Sequence, residues 1–168
     1  MQRINVQFYN ACGDAEGVVN RVVSYFDPPY CHCEVEFQDA VACAIYWGGN
    51  VHMRNRTFNS ANYDCIELKC MHHDYERALA LARAKSAEAE RFNLRQMLGS
   101  KIRVLRGDPT GTFCSKLCVE VLQAAKLLPN DVLGAETTPS ALFQRLSAIH
   151  GTAAEDGTSV ALDFVSAV

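Results

Sequence analysis

The pattern of apolar residues changes between residues 71 and 74, and this change constrains the fold of the chain more than any other feature. Before it, apolar and polar residues alternate over short segments, which is typical of β-strands. After it, Ala, Leu, Arg and Glu dominate, and these residues have a high helix propensity. Strands followed by helices are typical of the α+β class. In a chain of 168 residues we expect one domain, at 1–150, with an antiparallel β-sheet packed against helices, and a C-terminal tail at 151–168.

The spacing of apolar residues and turn residues predicts the individual elements. Five strands are predicted, joined as an antiparallel meander by short connections: 4–9, 31–37, 41–47, 51–55 and 65–71. Helices are predicted at 17–26, 74–98, 114 to about 128, and 137–146. The last of these begins with a capping threonine and a first-turn proline.

Charge and hydropathy exclude several classes of function. The net charge of −3 gives no electrostatic reason to expect nucleic acid as a partner, and no apolar segment approaches the length of a membrane span. The first residues are typical of a strand rather than of a secretion signal, so we expect a cytoplasmic protein, in the host cytoplasm if the source is viral. In that reducing compartment, the eight cysteines are expected to be free thiols, metal ligands or a catalytic thiol rather than disulfides.

Cys114 is the residue whose position most suggests chemistry. It lies at the start of a predicted amphipathic helix, where the unpaired N–H groups and the helix dipole stabilise a thiolate. The helix places one apolar stripe inward: Leu117, Cys118, Val121, Leu122 and Ala125. Cys118 lies one turn inside the helix, so we expect it to be a core residue. The alternative for Cys114 is that it too is an ordinary buried cysteine.

His32 is the best candidate for a base that activates Cys114. It lies within a predicted strand, and Glu34 shares its face two residues on, where it can orient the imidazole; Glu36 is a weaker alternative. The simpler interpretation is that this face of the strand is exposed to solvent. The catalytic interpretation requires the face to be turned towards the helix of Cys114.

Three short motifs, in this order along the chain, resemble one family. "CHCEV" at 31–35, "FCSK" at 113–116 and "TPSAL" at 138–142 are similar to motifs of the permuted NlpC/P60 group of papain-like cysteine hydrolases. The resemblance covers about 4–146 and implies a circularly permuted papain-like fold. It implies that Cys114 is the nucleophile and His32 the base, with Glu34 as the third polar member. Lys116 departs from the acidic residue common at its position, which affects the expected substrate preference.

The resemblance implies a cysteine peptidase or amidase that cleaves amide or related acyl bonds without a cofactor. The expected partner is a peptide, an isopeptide or an acylated substrate. The Cys114 backbone N–H is expected to hold the oxyanion, with Tyr9 or Asn10 as candidates for the second donor. A ubiquitin-like isopeptidase and an acyltransferase on the same fold remain alternatives. A wall-lytic enzyme fits a cytoplasmic location only where a phage or virus delivers it. The sequence predicts no oligomeric state.

Two further interpretations belong to other classes. A structural zinc site, in a non-enzymatic binding module, would draw four ligands from a mixed set: Cys31, Cys33, Cys65, Cys70, His72 and His73. Their spacing lacks the close C-x2-C pair of most such sites. A papain-like scaffold that binds without catalysis is the third possibility, although the Cys–His pair argues against it. Arg54 and Arg56 are expected to be exposed.

Overall fold

The computed structural model describes residues 1–10, 28–99 and 111–150. Its centre is a five-stranded antiparallel sheet in the order β4-β3-β2-β1-β5, so the first four strands form a meander and β5 returns to pair with β1. The strands are β1 Gln2–Asn10, β2 Tyr30–Glu36, β3 Val41–Ala44, β4 His52–Asn55 and β5 Tyr63–Cys70. The predicted α+β class with an antiparallel sheet is confirmed. The predicted helix at 17–26 and the tail at 151–168 lie outside the described residues.

Helices occupy the second half of the described chain. They are α1 His72–Ala87, α2 Leu94–Gly99, α3 Cys114–Ala124 and α4 Pro139–His150. Two 3-10 turns are also present, one at Gln38–Ala40 between β2 and β3 and one at Gly134–Glu136 between α3 and α4. No helix among the described residues is long and apolar enough to cross a membrane.

The prediction of a single helix at 74–98 is wrong, because the chain leaves the helix after Ala87. Ala89 has a positive φ of 50°, which an α-helix does not allow. Phe92 then pairs with Thr112, just before α3, and its N–H donates to the Gly49 carbonyl at 3.0 Å. This tertiary pairing outweighs the helix propensity of the local sequence.

The core lies between one face of the sheet and the helices. Alternate residues of β1 point into it, since side chains of a strand alternate between faces; Ile4, Val6 and Phe8 are fully buried. The predicted inner stripe of α3, with the residue that follows the helix, belongs to the same core, and each of its members is at most 1% exposed: Leu117, Cys118, Val121, Leu122 and Ala125. The expectation that Cys118 is a core residue is confirmed.

Two serines form hydrogen bonds between the region at the start of α4 and the elements that carry His32 and Cys114. Ser140 Oγ accepts a hydrogen bond from the Tyr30 N–H at 3.2 Å, at the start of β2. Ser115 Oγ donates to the Thr137 carbonyl at 2.7 Å. The predicted capping threonine is Thr138, whose Oγ1 accepts from the Ala141 N–H at 3.2 Å. The start of α4 thereby fixes β2 and α3 relative to each other.

We predict that Leu122→Ala lowers the free energy of unfolding by about 2–5 kcal/mol, because it leaves a cavity in a fully packed core. The matched control is Leu133→Ala, which removes the same atoms from a residue that is 59% exposed and should change the free energy of unfolding by less than about 0.5 kcal/mol. Urea denaturation of both variants measures the difference. Equal losses would contradict the described core.

Candidate active site

Cys114 is the first residue of α3 and lies beside the edge of β2. The short strand β3 pairs with β2 only at Val35 and Glu36. The edge of β2 that precedes these two residues in the chain is therefore open to another element. Cys114 fills that position, where the Cys33 backbone N–H donates to its sulfur. Only 5% of Cys114 is exposed. The thiol therefore sits at the N-terminal end of a helix and level with a strand edge.

The structure brings the two predicted residues together, since the side chains of His32 and Cys114 line one pocket and interact with each other. His32 and Cys33 are neighbours in a strand and point to opposite faces of the sheet. Cys33 faces the core, where α3 packs, so His32 does not face the helix as the catalytic interpretation required. Contact is made because Cys114 lies at the strand edge and reaches the side chains of both faces.

Glu34 occupies the predicted third position. Its Oε1 lies 3.2 Å from His32 Nε2, which leaves His32 Nδ1 available to the thiol. Glu34 is fully buried, so the alternative of a solvent-exposed face is wrong for this residue. Glu36, the weaker candidate, instead accepts hydrogen bonds from Asn5 at 3.1 Å and Gln7 at 2.7 Å.

Arg56 and Tyr46 complete the surroundings of Glu34, and the sequence analysis missed both. Arg56 Nη1 lies 2.6 Å and the Tyr46 hydroxyl 2.7 Å from the same carboxylate oxygen that faces His32. Tyr46 also stacks on His32, with ring centroids 4.8 Å apart. The expected exposure holds for Arg54 and is wrong for Arg56. Arg56 lies just after β4, where no periodicity assigns a face; the available signal is that a buried carboxylate needs a cation.

The electrostatics favour a thiolate–imidazolium pair. Burial alone would lower the pKa of His32, but hydrogen bonds and charge from Cys114 and Glu34 outweigh it and raise that pKa to about 10. A hydrogen bond with Cys33, together with the hydrogen bond and charge of His32, overcomes burial and lowers the pKa of Cys114 well below the ordinary thiol value. Burial and hydrogen bonds to Cys114 and Cys118 raise the pKa of Cys33, which stays a neutral donor.

A small pocket of about 100 Å³ opens beside Cys114 and His32. Tyr9, a candidate for the second oxyanion donor, lines it, whereas Asn10 does not. The Asn10 N–H donates to the Asn62 carbonyl at 2.9 Å. The geometry therefore favours Tyr9 over Asn10 for that role.

Lys116, the residue that departs from the family motif, turns towards the protein itself. Its Nζ donates to the Gly111 carbonyl at 2.8 Å and lies 4.0 Å from Glu120 Oε1. Lys116 therefore stabilises the segment that leads into Cys114.

The candidate zinc ligands are not gathered by the fold. Within the described parts of the chain, no three His, Cys, Asp or Glu side chains form a group that could hold a metal ion. Cys65 is exposed on β5, Cys33 contacts Cys114 and Cys118, and the Cys70 thiol donates to the Gln2 carbonyl at 3.9 Å.

Comparison of the chain with protein-family models, with curated proteins and with solved structures finds no match in any of the three sets. Any function proposed for the chain therefore rests on its own residues and their geometry.

We predict that Arg56→Met lowers the free energy of unfolding by about 2–3 kcal/mol, because it leaves the buried Glu34 carboxylate without its cation. Arg54→Met is the matched control: Arg54 is exposed on the adjoining strand and its loss should cost less than about 0.5 kcal/mol. The double variant Glu34→Gln/Arg56→Met should recover part of the loss in a denaturation experiment. No recovery would show that Arg56 acts through something other than Glu34.

Proposed function

We propose that this protein is a cysteine hydrolase of the peptidase or amidase type, with Cys114 as nucleophile, His32 as general base and acid, and Glu34 as the residue that orients the imidazole. The observation that carries the proposal is that His32 and a cysteine at a helix N-terminus line the same pocket and interact electrostatically. Glu34 on the other ring nitrogen completes the arrangement that activated nucleophiles require.

The reaction is acyl transfer to sulfur. The Cys114 thiolate attacks the substrate carbonyl carbon and a C–S bond forms, while the Cys114 N–H and the Tyr9 hydroxyl donate to the oxyanion. The His32 imidazolium gives its proton to the leaving group as the C–N or C–O bond breaks. Water, deprotonated by His32, then attacks the thioester. The C–S bond breaks, the carboxylic acid leaves, and the thiolate–imidazolium pair is restored.

Glu34 is held in place by bonds to one of its oxygens. Arg56 and the Tyr46 hydroxyl both donate to its Oε1, the oxygen that also faces His32. These bonds fix the carboxylate beside the imidazole. The carboxylate then favours the imidazolium form of His32 during each half of the reaction.

The order of elements supports a circularly permuted papain-like arrangement as the fold of this hydrolase. The histidine strand β2 comes before the cysteine helix α3 along the chain, and an antiparallel sheet packs against that helix. The serines of the "FCSK" and "TPSAL" motifs both make the buried bonds that align β2 with α3. These contacts give a structural reason for the serine in two of the three motifs on which the resemblance was based.

We predict that iodoacetamide at pH 6 alkylates Cys114 faster than the exposed Cys65, as located by mass spectrometry of the native protein. The lowered pKa of Cys114 increases its thiolate fraction, whereas burial and nearby carboxylates raise the pKa of Cys65. A thiol with a pKa of about 8.5 is only about 0.3% thiolate at pH 6. The wild-type Cys114 rate should therefore depend less steeply on pH between pH 6 and pH 9 than the rate of an ordinary thiol.

The paired variant is His32→Gln, which is close to histidine in size and carries no charge. Its Cys114 rate should fall by about 100-fold at pH 6 and rise about tenfold per pH unit towards the ordinary thiol pKa. Circular dichroism checks that the variant is folded. Slow alkylation of Cys114 in the folded wild type, or a rate that His32→Gln leaves unchanged, would overturn the proposed site.

A further inference from the structure

The pocket beside Cys114 has apolar and aromatic walls. No Asp, Glu, Lys or Arg is among the residues lining it in the described parts of the chain. Besides His32 and two cysteines, its lining consists of large uncharged side chains: Tyr9, Ile45, Tyr46, Trp47, Tyr63, Phe92 and Met97. Trp47 is 59% exposed and lies at the rim. A group that enters from Trp47 towards Cys114 therefore meets aromatic rings rather than charges.

The hydroxyl groups of two wall residues are already used by the protein. The Tyr46 hydroxyl donates to Glu34 at 2.7 Å, and the Tyr63 hydroxyl accepts from Arg56 Nη2 at 2.5 Å. Because these polar ends bond to Glu34 and Arg56, Tyr46 and Tyr63 present mainly their rings to the pocket, and the Tyr9 hydroxyl is the group assigned to the oxyanion. Such a lining favours an apolar occupant, since a polar one would lose its hydration without replacement bonds.

Aromatic walls also bind cations, but two of these rings already carry an arginine of the protein. The Arg56 guanidinium carbon lies 5.6 Å from the Tyr46 ring centroid and 5.5 Å from that of Tyr63. Arg54 lies 5.5 Å from the Tyr46 ring as well. The rings of Tyr46 and Tyr63 are therefore already engaged by cations of the protein, which disfavours a cationic occupant.

The size of the pocket limits the length of that occupant. Its volume is about 100 Å³, whereas pockets for larger ligands run to about 300–1,000 Å³. The space therefore suits a short acyl chain whose carbonyl carbon is held at Cys114.

We propose that the substrate presents a short, uncharged apolar acyl group to this pocket, with its carbonyl carbon at Cys114. The inference rests on the proposed hydrolase function and names its substrate class: esters, thioesters or amides of short aliphatic acids. The acyl group is transferred to the Cys114 sulfur with loss of the alcohol, thiol or amine, and water then releases the free acid.

The test measures kcat/KM of the intact protein on p-nitrophenyl esters of acetic, butyric, hexanoic and octanoic acids, with Cys114→Ala as the background. Butyryl ester should be the best of the four and exceed octanoyl ester by at least about tenfold, the discrimination typical of a few methylenes in an apolar pocket. Two esters whose acyl groups have the same shape but differ in charge test whether the pocket prefers an uncharged group. The 3,3-dimethylbutyryl ester should be cleaved at least about tenfold faster, over background, than the cationic trimethylammonioacetyl ester.

Met97→Ala tests whether this pocket sets the preference. Met97 lines the pocket, so the shorter side chain should raise the octanoyl-to-butyryl ratio of kcat/KM by about tenfold. Met53→Ala is the matched control: Met53 is half-buried against the core and lines a different cavity, beside Tyr75. It should leave the ratio unchanged.

Mass spectrometry of the acylated protein separates the two possible failures. The inferred substrate class is wrong, and the hydrolase proposal stands, if Cys114 is acylated but the octanoyl ester reacts as well as the butyryl ester, or the cationic ester as well as the 3,3-dimethylbutyryl ester. The same conclusion follows if Met97→Ala leaves the octanoyl-to-butyryl ratio of kcat/KM unchanged. If none of the esters acylates Cys114, both are overturned.

Discussion

The buried carboxylate of Glu34 is the constraint on which the site depends. An ionised carboxylate without exposed surface is costly unless donors compensate it, and here Arg56, Tyr46 and His32 all approach its Oε1. Each donor comes from a different part of the chain: one from β2 itself, one after β3 and one after β4. Satisfying a single charge therefore fixes the relative positions of the three strands and the orientation of the imidazole.

A short strand gives Cys114 its place. Because β3 pairs with β2 over two residues only, the edge of β2 near His32 and Cys33 is left for the N-terminus of α3. From that edge the sulfur contacts a thiol on the core face and an imidazole on the other face. The proposed nucleophile is thus held by the protein's interior on one side and faces an aromatic pocket on the other.

Much of the local structure could be predicted, and the failures share one cause. The α+β class, the stripe of α3 and the core position of Cys118 follow from periodicity, which reports how a segment divides its own faces. The helix at 74–98 was predicted too long because its composition hid the pairing of Phe92 with Thr112. Arg56 was predicted to be exposed because the partner that buries it, Glu34, lies on a distant strand.

The sequence by itself determined that His32 and Glu34 share a face, since side chains two apart in a strand point the same way, and that Cys114 opens a helix. The tertiary structure alone decided that Cys114 meets His32 and that Glu34 is buried beneath Arg56. The physical reason is that backbone periodicity describes only how the side chains of one helix or strand are divided between its own faces. The meeting of two elements depends on strand pairing, on where β3 ends and on the bonds that Ser115 and Ser140 make across the fold.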